Sequence, residues 1–356
     1  MSIFRKSLWK AGADPDKAGC AGWRTPHSYE ACRIPGLVRS ARGTLLLYCE
    51  ARDTLSDWAR IDLLLFRSED GGETFSGPVI LASGDREHPT VNNPVMIAAG
   101  DGGLHFLFCR DYSVDGGDVF ARHSADDGLS WSDPEDLMDR TRPEEHNAFA
   151  FGPGHGLETA EGVLLSPVWF VPVSAGAEPR SHHPAVVSSF YSRDGGASWS
   201  LGEVIPPAAD CPDPNETAAA RTSDGGVYFN VRLTGAGYRG AVWSRNGTDN
   251  FSALKPVREI PDPTCMGSVV NADWRGRPVI LAVNCNSVSE RRNLTVRASL
   301  DDGKNWAHSL VIDEGDAGYA DICVIPGEDP AVCVLYEKRF GTEVCFARFS
   351  LGELVG

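Results

Sequence analysis

Ser124-Ala-Asp-Asp-Gly-Leu-Ser-Trp131 returns along the chain as Ser68-Glu-Asp-Gly-Gly-Glu-Thr-Phe75, Ser192-Arg-Asp-Gly-Gly-Ala-Ser-Trp199 and Ser299-Leu-Asp-Asp-Gly-Lys-Asn-Trp306, with a degraded copy at Ser244-Arg-Asn-Gly-Thr-Asp-Asn-Phe251. Each copy has the chemistry of a tight turn. The aspartate accepts hydrogen bonds from backbone N–H groups a few residues on, and Gly72, Gly128, Gly196 and Gly303 supply the positive φ that the reversal needs. The closing Trp or Phe folds back as an apolar plug. Starts at 68, 124, 192, 244 and 299 give steps of 56, 68, 52 and 55 residues. Each step has room for about four strands of roughly 5 to 6 residues with their turns. At about 59 residues per step, 356 residues make about six such units, within the range usual for a propeller. The expected fold is all-β: a six-bladed β-propeller of four-stranded antiparallel blades. The boxes are staples of that fold and hold no cluster of groups suited to catalysis.

The sequence between the boxes agrees. Short apolar runs such as Thr44-Leu-Leu-Leu-Tyr48, Leu104-His-Phe-Leu-Phe108, Val227-Tyr-Phe-Asn-Val231 and Val332-Cys-Val-Leu-Tyr336 follow Gly or Pro turns, and no window of helical period competes with them. No Pro-rich or Ser-rich linker interrupts the array, so residues 1–356 read as one propeller domain.

Composition narrows the partners. A formal net charge of -16 repels nucleic acid and acidic membrane surfaces. Any anionic ligand must therefore be held by local arginines. The ten cysteines, at 20, 32, 49, 109, 211, 265, 285, 323, 333 and 345, form no Cys-x-x-Cys pair, and the nine histidines show no metal-ligand spacing. Buried free thiols, no metal and no cofactor are expected. The segment Met1 to Ala11 is amphipathic but lacks an apolar signal core, and no run of about 18 apolar residues occurs. The expectation is a cytoplasmic protein if the chain is complete, and a secreted or periplasmic one if a signal peptide has been removed.

Arg33, Arg52, Arg232 and Arg291 each stand where a strand begins or ends. In a propeller such ends converge on the central axis, so guanidinium groups from separate blades can meet around one carboxylate. The acidic and phenolic candidates are Asp57, before Ile61-Asp-Leu-Leu-Leu-Phe66; Glu216, after the turn Cys211-Pro-Asp-Pro-Asn; Tyr319, beside Gly318; and Glu337, closing Val334-Leu-Tyr-Glu337.

These residues stand in a recognisable series. Arg33-Ile-Pro35, Asn93-Pro94, Gly152-Pro-Gly-His-Gly156, Asn215-Glu216 followed by Arg232, Arg291-Arg-Asn-Leu-Thr-Val-Arg297 running into a box, and Gly318-Tyr319 followed by Leu335-Tyr-Glu337 resemble the bacterial exo-sialidase (neuraminidase) family from residue 30 to the C-terminus. The resemblance implies that Arg33, Arg232 and Arg291 bind the sugar carboxylate and that Glu337 orients the first of them. Arg291 is preferred to Arg292 because it stands two residues before Asn293. Arg52 and Asn93 match positions near the ring substituents. Tyr319 matches the nucleophile, Glu216 the carboxylate that takes its proton, and Asp57 the acid/base. A Tyr nucleophile is the established sialidase exception among glycosidases, not a deduction from spacing. Its logic is electrostatic, since the carboxylate on the anomeric carbon repels an anionic nucleophile and a phenol stays neutral until attack.

The implied substrate is a terminal sialic acid. A glycoside of a related ulosonic acid, Kdn or Kdo, keeps the same carboxylate, and a non-catalytic sialic-acid-binding propeller needs the same arginines. Where some sialidases have Met, this chain has Asn92. Trp58, Met96, Trp169 and Met266 are the apolar candidates for walls of an acyl slot. The Gly152 to Gly156 segment, lacking a Gly-Lys-Ser/Thr ending, reads as a turn leading into a strand, with His155 directed toward the pocket.

Overall fold

The computed structural model describes residues 3–12, 25–111, 117–137, 146–176 and 181–356; Cys20 lies outside them. Six antiparallel sheets follow one another along the chain. The first blade is Ala31–Arg39, Leu45–Arg52, Ile61–Ser68 and Val79–Ser83, from the axis outward. The next four begin with the inner strands Val91–Ala98, His146–Phe151, Pro214–Arg221 and Ser268–Trp274. The sixth is Ala320–Ile325, Ala331–Lys338 and Glu343–Ser350, completed on its outside by Phe4–Lys10.

That last pairing gives the amphipathic N-terminus a place in the ring. Phe4 lies opposite Arg348 and Lys10 opposite Glu343, so the first strand of the chain closes the last blade. Leu8 and Trp9 are buried there with Leu335 and Phe346. The closure also explains why five boxes serve six blades. Every box joins the third strand of a blade to its fourth, and in the sixth blade these two strands are not consecutive.

The boxes act through local bonds. The Ser124 hydroxyl accepts from Gly128 N–H at 2.9 Å, Asp126 Oδ1 accepts from Ser130 N–H at 2.9 Å, and Trp131 Nε1 donates to the Gly128 carbonyl at 3.2 Å. Gly128 has φ 78°. The same set recurs at Ser192 to Trp199 and Ser299 to Trp306. In the degraded copy Asn246 Oδ1 takes the aspartate's part, accepting from Thr248 N–H at 2.9 Å.

Most second and third strands are buried on both faces, Leu45–Arg52 and Ile61–Ser68 along their whole length. Each sheet is covered by a neighbouring blade on either side, so the apolar runs need not alternate with polar residues. The Gly152–Gly156 segment adds two short strands: Gly154–His155 pairs in parallel with Val95–Met96 of the second blade, and Leu157–Glu158 pairs with Leu164–Leu165 of the third. It stitches two blades together, and two sheets thereby have five strands instead of four.

Candidate active site

In a four-stranded meander the start of the inner strand, the end of the second strand and the loop between second and third strands lie at one end; the boxes lie at the other. Arg33, Asn93 and Glu216 stand near the starts of inner strands, and Tyr319 immediately precedes one. Arg52, Arg232 and Glu337 stand at or near the ends of second strands, and Asp57 and Arg291 lie in loops between second and third strands. All nine therefore share the end opposite the boxes.

Bulges aim several of them. Strand register shifts between Arg33 and Gly36, between Asn92 and Val95, and between Pro214 and Thr217. Ile34 and Asn93 adopt φ 54° and 49°. Each bulge breaks the in-out alternation just where the inner strand leaves the core, so adjacent residues turn toward the axis. Pro35 and Pro94 fit here because a bulge leaves no ladder hydrogen bond for them to interrupt.

At the centre stands a phenol. The Tyr319 hydroxyl donates to Glu216 Oε1 at 2.7 Å and accepts from Arg232 Nη1 at 2.9 Å, and the same Nη1 donates to Glu216 Oε2. Burial, and then the Glu216 charge, push the Tyr319 hydroxyl well above its ordinary pKa, against the pull of Arg232, Arg291 and Arg33. The phenol is thus neutral at rest, with an acceptor already on its proton. Gly318 is required beside it: a Cβ there would meet the Glu337 carboxylate at 2.7 Å.

The Arg33 and Arg291 guanidinium carbons lie 5.2 and 5.3 Å from the centre of the Tyr319 ring. Glu337, fully buried, accepts from Arg33 Nε at 3.2 Å and Nη2 at 2.9 Å, and from the backbone N–H groups of Ile34 and Tyr319 at 3.3 Å each. One carboxylate thereby fixes the first arginine and the phenol's strand. Arg291 differs from its companions. It donates to the Thr264 carbonyl at 3.3 Å and has no carboxylate partner among the described residues. Arg292 points away, exposed and 3.6 Å from Glu290.

Asp57 Oδ1 lies 2.5 Å from Arg52 Nη1 and 3.6 Å from Arg33 Nη1, with the side chain 46% exposed. Burial alone would raise its pKa, but Arg52, then Arg33 and His182, outweigh it and hold Asp57 below the usual carboxylate range. Arg52 is pinned by the fully buried Glu50, whose other oxygen accepts from Asn93 N–H at 2.7 Å.

Arg33, Arg52, Asp57, Asn93, Glu216, Arg232, Arg291 and Tyr319 line one cavity of about 180 Å³, with Glu337 behind Arg33. Ile34, Asn92, Trp169, His182, His183 and Asn215 complete the wall. The sequence reading missed His182, His183 and Asn215 as site residues. Histidines weighed only for metal spacing say nothing of a Ser-His-His-Pro turn at 181–184. Of the apolar slot candidates, Trp169 lines the cavity and Trp58 packs near His182, whereas Met96 and Met266 are core residues. His155 is also corrected. It faces the other mouth of the axis, in a cavity with Arg39 and Arg221, where its Nδ1 lies 2.7 Å from the buried Asp321. A parallel pairing with the second blade carries it there, away from the arginines. The nine described cysteines are free and buried, and no metal-binding group of three or more His, Cys, Asp or Glu occurs among the described residues.

Comparison with known proteins places the chain in a family. The BNR repeat-like domain family matches residues 76–332, and the chain belongs to it. Within that class it is a propeller of the sialidase family. It is 30% identical over 355 residues to a sialidase of Micromonospora viridifaciens, covering 91% of this chain and 52% of that protein. It is 26% identical over 342 residues to a sialidase of Bacteroides fragilis, covering 86% and 60%. The chain thus spans little more than half the length of either relative. In three dimensions it superposes on the Hadza microbial sialidase Hz136 with a TM-score of 0.81 at 23% identity, covering 92% of this chain and 67% of that one, which supports the fold.

Proposed function

We propose that the protein is a retaining exo-α-sialidase that releases terminal sialic acid from glycoconjugates or oligosaccharides. The observation that carries this reading is the Tyr319 hydroxyl, 2.7 Å from Glu216 and encircled by Arg33, Arg232 and Arg291. Arg291, lacking a carboxylate of its own, is the charge that a ligand carboxylate would satisfy, and Arg33 and Arg232 complete a three-sided clamp. The Tyr319 oxygen then attacks the anomeric carbon while its proton passes to Glu216. The glycosidic bond breaks, and Asp57 delivers a proton to the leaving oxygen. In the second half Asp57 takes a proton from water, the water oxygen bonds to the anomeric carbon, and the Tyr319 oxygen departs and recovers its proton from Glu216. Two displacements retain the α configuration.

Asp57 is held as a carboxylate in the ligand-free protein, so its duty as acid depends on the ligand. Binding a substrate carboxylate at Arg33 adds negative charge near Asp57 and excludes water, and both raise its pKa. The test is release of fluorophore from α-glycosides of N-acetylneuraminic acid, Kdn and Kdo by wild type and Tyr319→Phe, with the first-formed anomer followed by NMR. Cleavage of the first with the α anomer formed first, lost in Tyr319→Phe, is the expected result. Cleavage of Kdn or Kdo alone would reassign the substrate, and no cleavage by folded protein would end the enzymatic reading.

A further inference from the structure

The propeller axis has a second mouth, at the box end, and basic groups gather there. Five inner strands run into it, and the segment 154–158, which follows the third, completes a cavity of about 340 Å³. Arg39, Arg221 and His155 line it. Glu158 is the one carboxylate in the lining among the described residues, and its Oε2 already accepts from Gly100 N–H at 2.6 Å. Behind the ring, the fully buried Asp321 accepts from the backbone N–H groups of Leu37 at 2.7 Å and Ile322 at 2.9 Å and from the Ser268 hydroxyl at 2.6 Å. Those three bonds hold the carboxylate before the imidazole is counted. The fourth, to His155 Nδ1 at 2.7 Å, therefore serves the ring: it fixes the ring's plane and leaves Nε2 for the cavity. The His155 side chain is only 10% exposed, and among the described residues neither its Nε2 nor the guanidinium groups of Arg39 and Arg221 have a hydrogen-bond or ion-pair partner.

We propose that this mouth binds a small anion bearing a carboxylate or phosphate group, whose oxygens accept from His155 Nε2–H and from the guanidinium groups of Arg39 and Arg221. Guanidinium and imidazolium donors make their strongest hydrogen bonds to such oxyanions. Burial alone would lower the imidazole's pKa, but the Asp321 charge and hydrogen bond outweigh it and raise it, which favours the ring that donates from Nε2. A chain of net charge -16 repels anions over most of its surface, so unpaired cations gathered at one funnel select where an anion can settle. The half-buried Leu157, Val270 and Val324 line the remaining space and leave room for a small carbon skeleton on the ligand. The site lies at the opposite end of the axis from Tyr319 and does not depend on the sialidase reading.

The test removes the competing arginine clamp by working in an Arg291→Ala background. That protein is titrated calorimetrically with inorganic phosphate and, separately, with lactate; binding of one alone names the anionic group. One-site binding is expected, weakened roughly 10-fold or more by Arg221→Gln and by His155→Asn, each of which removes a charge-assisted hydrogen bond. His155→Asn keeps an amide N–H for Asp321 and loses the cation, and Arg221, exposed at the rim, keeps the test readable if that variant fails to fold. Lactate affinity should also fall as pH rises through the imidazolium's pKa, a slope that His155→Asn loses. The other ionisable groups facing the ring are Asp321, Glu158, Cys323, Arg39 and Arg221. Affinity unchanged in both variants, or no binding of either anion up to about 10 mM, would overturn the proposal. Wild type and Arg221→Gln should cleave sialosides alike, so either reading can fail without the other.

Discussion

The two ends of the propeller satisfy their polar groups by opposite means. At the box end the bonds that shape each turn are local: Asp126 is served by Ser124 and Ser130, and Asp194 by Ser192 and Ser198. At the other end the bonds leap across the chain, from Tyr319 to Glu216 and from Arg33 to Glu337, 103 and 304 residues apart. The box end can form before the ring exists and tolerates a degraded copy. The site end exists only when all blades are in place, and each member restrains several others. Local repetition gives redundancy; long-range pairing gives a single arrangement with no spare.

Substitutions probe that contrast most sharply at the phenol. Tyr319→Phe removes one oxygen and is expected to lower kcat roughly 10³-fold or more, with circular dichroism unchanged. Residual activity within tenfold of wild type would mean that the phenol is not the nucleophile. Next in size, Asp57→Asn is expected to cost about 10²- to 10⁴-fold on glycosides with poor leaving groups. The loss shrinks greatly on aryl glycosides whose leaving phenolate needs little protonation, and equal losses on both would remove Asp57 from the acid's role. Arg291→Ala is expected to raise KM by roughly 30-fold or more, as removal of one partner of a desolvated charge pair costs about 2–5 kcal/mol. Arg292→Ala, at the exposed start of the following strand, should leave KM unchanged; the reverse result would shift the clamp by one residue.

The smallest effects belong to the box end. Asp126 and Asp194 have pKa values lowered from 3.8 to about 2, by the hydroxyls of Ser130 and Ser198 first and then by backbone N–H groups. A depressed folded-state pKa contributes stability that is present above the unfolded value and is lost as pH falls through the folded one. The contribution should therefore fade between about pH 4 and pH 2. The double variant Asp126→Asn/Asp194→Asn should melt slightly lower at neutral pH, flatten the acid decline and keep neutral-pH kcat/KM, all followed by melting curves and assays. A large loss of turnover at neutral pH would show that the two ends are not separable.

This contrast also explains what the sequence could tell. The boxes carry their whole meaning within eight residues, so the fold and the blade count were legible, apart from the sixth blade's outer strand, whose partner lies more than 300 residues away. Arg33, Glu216, Tyr319 and Glu337 were readable because their neighbours Pro35, Asn215, Gly318 and Tyr336 form a recognisable series; nothing in their own spacing shows that they meet. Asn92 was visible only as a departure from methionine. That it stands in the cavity wall follows from a bulge and from what surrounds it, neither of which is written locally. His155 was misread because a Gly-rich turn does not declare which mouth of the axis it enters.

The closure of the sixth blade has a consequence in time. Tyr319 and Glu337 belong to the blade whose outer strand is Phe4–Lys10. During synthesis the first strand emerges early and must wait, unpaired along its length, until Glu343–Ser350 leaves the ribosome. The phenol's blade is therefore among the last parts of the propeller to become rigid, and a nascent chain carries a complete set of boxes well before it can hold Tyr319 against Glu216.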